Sequence, residues 1–270
     1  MKIRHAAEPP IGLPAENTFE AFDELENSLG WAAVSVQQLP QLLPDRPLNL
    51  IIDADCRRQA EGALLGAATA RALVLRREHP QLPARVYTRC PERDEARLAL
   101  LRSIGFVPDD FIMRMTLRQL AGPRVRRAPG DLVEVRDRLE DAQEREYFLD
   151  RYALLFQVAP DEARAWLDGA RQRAGFARFL LASDSGLAGE VVCWVERGEG
   201  EVGYVYTAPP WRRSGVAAGL MESARLHFLS LGLASAGLTV RRRIEPAVRL
   251  AASVGYRQSD IAMLLPGMDV

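Results

Sequence analysis

One order of elements occurs twice along this chain, and that repetition limits the folds open to it more than any other feature. In the second half a strand through Val202 to Thr207 is stopped by Pro209-Pro210, and a loop carries Arg212 to Gly215. A helix comes next with Ala217, Leu220, Met221, Ala224, Phe228 and Leu231 on one face. It leads to a strand at Leu238 to Val240, a helix with Ala247, Leu250, Ala251 and Val254 inward, a Gly255-Tyr256 stop, and a strand through Ile261, Met263 and Leu264. The first half reads alike: a strand at Leu48 to Ile52, a polar loop with Arg57, Arg58 and Gly62, a helix on Leu64, Ala67 and Val74, and a strand at Arg85 to Tyr87. A helix through Ala96, Leu100 and Ile104 then ends at Gly105-Phe106, before a strand with Ile112 and Met113. Gly105 and Gly255 stand 150 residues apart, as do Met113 and Met263, and Gly62 and Gly215 stand 153 apart. Offsets agreeing to within one short loop describe two copies of one fold.

Each copy should carry a sheet of mixed direction. In the second, strands through Phe179 to Ala182 and Val191 to Val195 lead to the loop-bearing strand across the short turns Asp184-Ser185-Gly186 and Gly198-Glu199-Gly200, which suits an antiparallel meander. The helix after Gly215 is long enough for a crossover, so the strand at Leu238 should run parallel to its predecessor. Ahead of the meander lie a strand through Leu132, Val133 and Val135 and two helices, one on Phe148, Tyr152, Leu155 and Phe156 and one on Ala163, Trp166, Leu167 and Ala170. The first copy has only residues 1 to 47 in that place, too few for two helices and three strands, so it should be trimmed. The expected fold class is therefore α/β (α+β), with two mixed-sheet domains in tandem at 1–117 and 131–270. The linker at 118–130 contains Gly122-Pro123, Pro129-Gly130 and four arginines.

Composition excludes several classes of function. Lysine and arginine number 35 against 36 acids, a formal charge of −1, so no overall field draws nucleic acid or an anionic membrane. Mean hydropathy is −0.12, and no apolar run approaches the roughly eighteen residues of a membrane span. Cys56, Cys90 and Cys193 are odd in number and far apart, and His5, His79 and His227 are equally scattered, so neither a disulfide framework nor metal-ligand spacing is present. No metal is expected, and a reducing cytoplasm fits best. The N-terminal residues Met1 to Pro10 show no apolar stretch of a secretory signal.

The segment Arg212-Arg213-Ser214-Gly215-Val216-Ala217 stands between a strand and an amphipathic helix. Free N–H groups and the positive dipole end of a helix N-terminus form an anion site, and glycine lets a phosphate come close to the chain. Gly215 either serves that approach or eases a tight turn. Together with Tyr204 to Trp211 before it and Glu245-Pro246-Ala247-Val248-Arg249-Leu250 to Gly255-Tyr256 after it, the loop resembles the GCN5-related N-acetyltransferase (GNAT) family. The resemblance covers residues 131–270 and matches the family's Q/R-x-x-G-x-G/A signature at Arg212, Gly215 and Ala217.

That resemblance implies acetyl-CoA as acyl donor. The diphosphate would lie on backbone amides from Arg213 through Ser214, Gly215 and Val216 to Ala217, with Arg212 beside it, and the pantetheine arm along Val205, Tyr206 and Thr207. It implies transfer of acetyl to a small-molecule or peptide amine. It also implies a general-acid tyrosine in the helix after the fifth strand, where this chain has Ala251, with Ile244 at the family's asparagine position. A non-catalytic CoA-binding sensor or scaffold of the same fold is the alternative. In the first copy one extra residue precedes Gly62, and the Glu61 carboxylate would meet a diphosphate as a like charge, so this copy should have a structural or substrate-shaping role.

Tyr204 is a candidate acid or base, or a packing residue; Glu201 and Glu190 are candidate bases, or solvated strand ends. Arg241-Arg242-Arg243 could meet an acidic acceptor or be a solvated charge run.

Overall fold

The computed structural model of the chain describes residues 1–10, 13–121, 129 and 131–270. The elements of the first half are β1 Lys2–His5, β2 Thr18–Phe22, β3 Ser28–Gln38, β4 Leu48–Cys56, α1 Arg58–Arg77, β5 Ala84–Thr88, α2 Glu95–Ser103 and β6 Phe111–Leu117. Those of the second half begin with β7 Val133–Asp137, α3 Ala142–Phe156, α4 Pro160–Arg171, β8 Ala177–Ser183, β9 Gly186–Glu196 and β10 Glu199–Thr207. They end with α5 Val216–Ser230, β11 Ala236–Arg241, α6 Glu245–Ser253, β12 Arg257–Leu264 and β13 Gly267–Asp269.

The two halves repeat one architecture: β4–α1–β5–α2 corresponds to β10–α5–β11–α6. Correspondence extends to single hydrogen bonds. Ile104 and Val254 close α2 and α6 with φ, ψ of −103°, 11° and −100°, 13°. Gly105 and Gly255 come next at φ +97° and +99°, in the left-handed region where only glycine is unstrained. Phe106 N–H then donates to Leu101 O and Tyr256 N–H to Ala251 O, both at 3.0 Å. The chain turns back in the same way after each helix.

Beyond that turn the strands depart from expectation. Six strands form one sheet in the order β1-β2-β3-β4-β5-β13, and seven form the other in the order β12-β6-β11-β10-β9-β8-β7. The strand expected to finish the first copy, β6, lies in the second sheet, paired antiparallel to β11 from Ala236↔Leu117 to Arg241↔Ile112. In return β13, from the end of the chain, pairs with β5 in the first sheet through Gly267↔Tyr87 and Met268↔Val86. Contacts accordingly divide the chain into Met1–Phe111, Tyr152–Glu162 and Met263–Val270 as one unit, and Ile112–Arg151 and Ala163–Ala262 as the other. That division departs from the expected 1–117 and 131–270, because strand pairing rather than chain order assigns β6 and β13. Of the expected linker, residues 122–128 and 130, with its basic cluster, lie outside the described residues.

In the first unit β1 to β4 are antiparallel neighbours and β4–β5 is parallel. Trimming has removed the helices: among the described residues, 1–47 contain three strands and a 3-10 turn at Ala15–Asn17, and no α-helix. Helix α1 covers this sheet with Ala60, Leu64, Leu65, Ala68, Ala72 and Leu75, all buried. The expected face differs by part of a turn: Ala67 is half-buried and Val74 exposed. Full burial of each leucine contributes roughly 1.5–3 kcal/mol, so the run on the Leu64 side determines how α1 rolls.

In the second unit β7 to β10 form the expected meander, and β10–β11 is parallel. Helix α5 lies on one face, burying Leu220, Met221, Ala224 and Phe228, while Ala217 is half-buried and Leu231 exposed. On the opposite face Phe148 of α3 and Trp166 of α4 meet Tyr204 and Trp194 in edge-to-face contacts, with centroids 5.2 Å apart for Phe148–Tyr204 and 6.1 Å for Trp166–Trp194. Among the described residues no helix is long and apolar enough to cross a membrane.

Candidate functional site

The parallel pairing of β10 and β11 stops early. It holds from Gly200↔Ala236 to Val202↔Leu238, although β10 runs on to Thr207 and β11 to Arg241. At the same place the register between β10 and β9 shifts, between Val202 and Tyr204, which leaves Gly203 as a bulge. The residue must be glycine, because the ring of Trp194 lies across it: a Cβ there would stand 1.9 Å from Cη2.

The bulge re-phases the strand. Gly200 N–H points to the β11 side, where Ser235 O accepts it at 3.0 Å, whereas Ala208 N–H points to β9, where Ala188 O accepts it at 2.9 Å. Residues an even number apart on a regular strand would face the same way, so the flip belongs to Gly203. Beyond it Val205 and Thr207 turn their N–H and C=O groups to the side where β11 has diverged. Such groups require a hydrogen-bond partner, and an extended ligand laid in the fork would supply it.

The open edge leads to the N-terminus of α5. Pro209–Trp211 form a 3-10 turn, the Ser214 hydroxyl donates to Trp211 O at 2.6 Å, and Arg213 and Gly215 take positive φ of 67° and 96°. Gly215 caps the helix, its carbonyl accepting from Gly219 N–H at 2.9 Å. Val216, Ala217 and Ala218 thus open the helix with N–H groups that have no partner within it. The first turn contains no acid, and nothing lies within 4 Å of a Cβ built at Gly215. Arg212, Arg213 and Ser214 are exposed. The loop brings dipole, amides and guanidinium groups together without a carboxylate, the donor set that suits a diphosphate.

Residues 134–256 match the sequence model of the acetyltransferase (GNAT) family. That segment is a GNAT domain. Members of the family take their acyl group from acyl-CoA, and the fork and the acid-free helix terminus fit such a donor. No match to the sequence was found among curated proteins. Among solved structures the chain resembles a GCN5-related N-acetyltransferase from Sphaerobacter thermophilus, at 17% identity and TM-score 0.55 over 96% of this chain and 82% of that one. It also resembles a tandem GNAT protein from the clavulanic acid biosynthesis pathway, at 14% identity and TM-score 0.52 over 93% and 82%. A third likeness is to a conserved protein of unknown function from Enterococcus faecalis V583, described as a probable N-acyltransferase, at 14% identity and TM-score 0.58 over 94% and 62%. At such identities these likenesses establish the fold, two mixed-sheet halves in tandem.

The corresponding place in the first unit is built otherwise. Its parallel pair also parts, after Ile52↔Thr88, 150 residues before Val202↔Leu238. There the similarity ends. Only Arg57 separates β4 from α1, and Gly62, expected in a loop, is inside the helix. Glu61 is buried in the first turn of α1, its carboxylate 2.6 Å from Arg97 of α2. Asp53 of β4 and Arg89, just past β5, form an ion pair at 3.3 Å across the opening. The terminus that would receive an anion already carries the chain's own carboxylate.

The candidate chemical residues in the GNAT domain separate clearly. Tyr204 is 3% exposed within the aromatic cluster, and burial raises its phenol far above the usual range. The ring contacts with Phe148 and Trp166 suit its packing alternative. Glu190 is no solvated strand end: it is fully buried in β9, bound by Arg178 at 2.7 Å and Arg151 at 3.0 Å. Sequence reasoning missed this network because its arginines come from β8 and α3, with no local spacing to announce them.

Glu201 stands on β10 two residues before the bulge, 9% exposed and ion-paired with Arg114 of β6. Burial raises its carboxyl above the ordinary 4.5, partly opposed by Arg114. Ala251, at the position where the family resemblance implies a tyrosine, is fully buried in α6. Arg241 ends β11, and Arg242 beyond it is exposed. Among the described residues no cluster of His, Cys, Asp and Glu could hold a metal ion.

Proposed function

We propose that this protein is an N-acetyltransferase that moves acetyl from acetyl-CoA to an amine of a small molecule or peptide. One observation carries the reading: the free edge at Val205 and Thr207 runs directly into the acid-free, glycine-capped terminus of α5. Amides from Arg213 to Ala217, with Arg212 and Arg213 beside them, hold the diphosphate, and Val205, Tyr206 and Thr207 line the pantetheine arm.

The amine nitrogen attacks the thioester carbon. A C–N bond forms, the C–S bond breaks, and the sulfur leaves as thiolate with the electron pair. Val205 N–H, already fixed in direction, stabilises the charge that builds on the carbonyl oxygen, and holding the two reactants together removes much of the entropic barrier. Glu201 accepts the proton that the amine must lose, directly or through water. Its raised carboxyl is suited to this, because a base works best when its pKa approaches the working pH. Ala251 supplies no acid at the family's tyrosine position, so the thiolate leaves unassisted.

The first unit has no donor site in this account, and its role is structural or substrate-shaping. Three free cysteines suit a reducing cytoplasm, and the near-zero net charge suits a protein whose partners are neither nucleic acid nor membrane. The test is steady release of free CoA thiol from acetyl-CoA, with and without a panel of amino acids, amino sugars and polyamines. Sustained turnover supports the enzyme. CoA binding without any turnover would favour the non-catalytic sensor, for which the missing acid at Ala251 speaks.

A further inference from the structure

Strand β6 comes after the first repeat in the chain yet lies between β11 and β12. Its alternate residues Met113 and Met115 are buried, and on its other face Arg114 crosses the neighbouring strand. Arg114 is paired in register with Thr239 of β11, but its guanidinium extends beyond β11 to the Glu201 carboxylate on β10, with Glu199 3.7 Å from Nη2. This crossing needs a gap in β11, and Gly237 provides it: a Cβ there would stand 2.1 Å from Arg114 Nη2. Gly237 is also the register partner of Glu201. On the outer side Thr116 Oγ1 and Ser259 Oγ of β12 lie 2.9 Å apart, and Ser259 donates to Arg114 O at 3.3 Å, so both edges of β6 are fixed.

We infer that Arg114 is a positioning residue, carried into the GNAT domain on β6, that holds the Glu201 carboxylate beside the vertex of the β10–β11 fork. The inference rests on the acyl-transfer reading above and on Glu201 as its base. Three facts separate this from an ordinary surface ion pair. Glu201 is 9% exposed, its partner reaches it over a glycine in the intervening strand, and the pair stands two residues from the bulge, about 7 Å along the strand. Other groups face the carboxylate too: Glu199 from β10 itself, Arg173 from beyond α4, and Tyr256 from beyond α6. Burial and Glu199 push the carboxyl up, while Arg114 and Arg173 draw it down. Arg114 therefore does two things: it fixes the direction of the carboxylate and limits how far burial raises it.

Thiol release from acetyl-CoA with water as acceptor is the cleanest assay, because no amine titrates in it. The rising limb of the rate against pH then reports the base. Arg114→Gln should move that limb upward by about one pH unit, the lower end of what an adjacent opposite charge contributes, and leave CoA affinity within about threefold. Arg114→Lys should return the limb toward its original place. Gly237→Ala, which displaces the guanidinium without removing it, should move the limb in the same direction, and it serves if Arg114→Gln does not fold. The double variant Arg114→Gln/Glu201→Gln should be no slower than Glu201→Gln alone. A limb that stays in place in both Arg114→Gln and Gly237→Ala, or an Arg114 effect that persists without Glu201, overturns the inference. So does an unchanged rate in Glu201→Gln, which would leave acyl transfer standing, whereas absence of thiol release from the unaltered protein overturns transfer itself and the inference with it.

Discussion

Replacing Gly215 by glutamate separates the charge at the donor site from the fold that presents it. The glycine has φ +96° and ψ −4°, and nothing lies within 4 Å of a Cβ built on it. Gly215→Ala therefore meets no clash and bears only the left-handed backbone cost, about 1 kcal/mol. Gly215→Glu bears the same cost but places a carboxylate at a helix N-terminus, where an anion regains about 0.3–1 kcal/mol. The glutamate variant should thus be at least as stable as the alanine one. For binding the order reverses. One carboxylate about 5 Å from one phosphate charge, at an effective dielectric of about 20, is repelled by about 3 kcal/mol, or roughly 150-fold in affinity. Calorimetric titration with CoA, beside thermal melts of both variants, reads the two quantities separately. A glutamate variant that binds CoA within threefold of the alanine variant would refute the assignment of the diphosphate to this terminus.

Particular contacts carry further consequences. Glu61→Ala should leave CoA binding at one site per chain, because α1 joins β4 without a glycine loop; a second equivalent site in the titration would contradict this. Glu190→Gln should lower the free energy of unfolding by about 2 kcal/mol in denaturant titration, since it takes the charge from the buried partner that Arg178 and Arg151 share while Asp137 and Glu144 still pair with Arg178; a loss below about 0.5 kcal/mol would count against the network. Burial beside Phe179 and Phe228 holds His227 below the ordinary imidazole value of 6.5, so the unfolded chain binds the extra proton first. Stability should then fall as pH drops through 6.5, and His227→Gln should flatten that slope. Residues 1–117 expressed alone would lack β13 and leave β6 without β11, so they should not melt cooperatively; a folded monomer would oppose the exchange of strands.

Much of the GNAT domain was legible because its signals are local. Pro209-Pro210, Gly215 and the apolar face of α5 fix strand end, cap and helix within one stretch of chain, and Gly105 and Gly255 repeat the same turn at the same spacing. The exchange of β6 was not legible, since Met113 and Met115 alternate identically whichever sheet receives them. The signal that could have found it is the pair of Arg114 and Gly237, a long cation opposite a missing side chain, but its meaning depends on a register no single sequence displays. Burial of Glu190 and Glu201 was hidden for the same reason: their cations come from other strands and helices. Gly62 misled because glycine was read as a loop residue where the chain had already entered α1.

A crystal structure with acetyl-CoA bound would test the donor site most directly. A single donor per chain should appear, with the diphosphate on the amides from Arg213 to Ala217, the arm hydrogen-bonded to Val205 and Thr207, and the thioester beside Gly203 within reach of Glu201. A donor seated at α1, or one whose arm leaves the fork between β10 and β11 empty, would contradict the acyl-transfer reading.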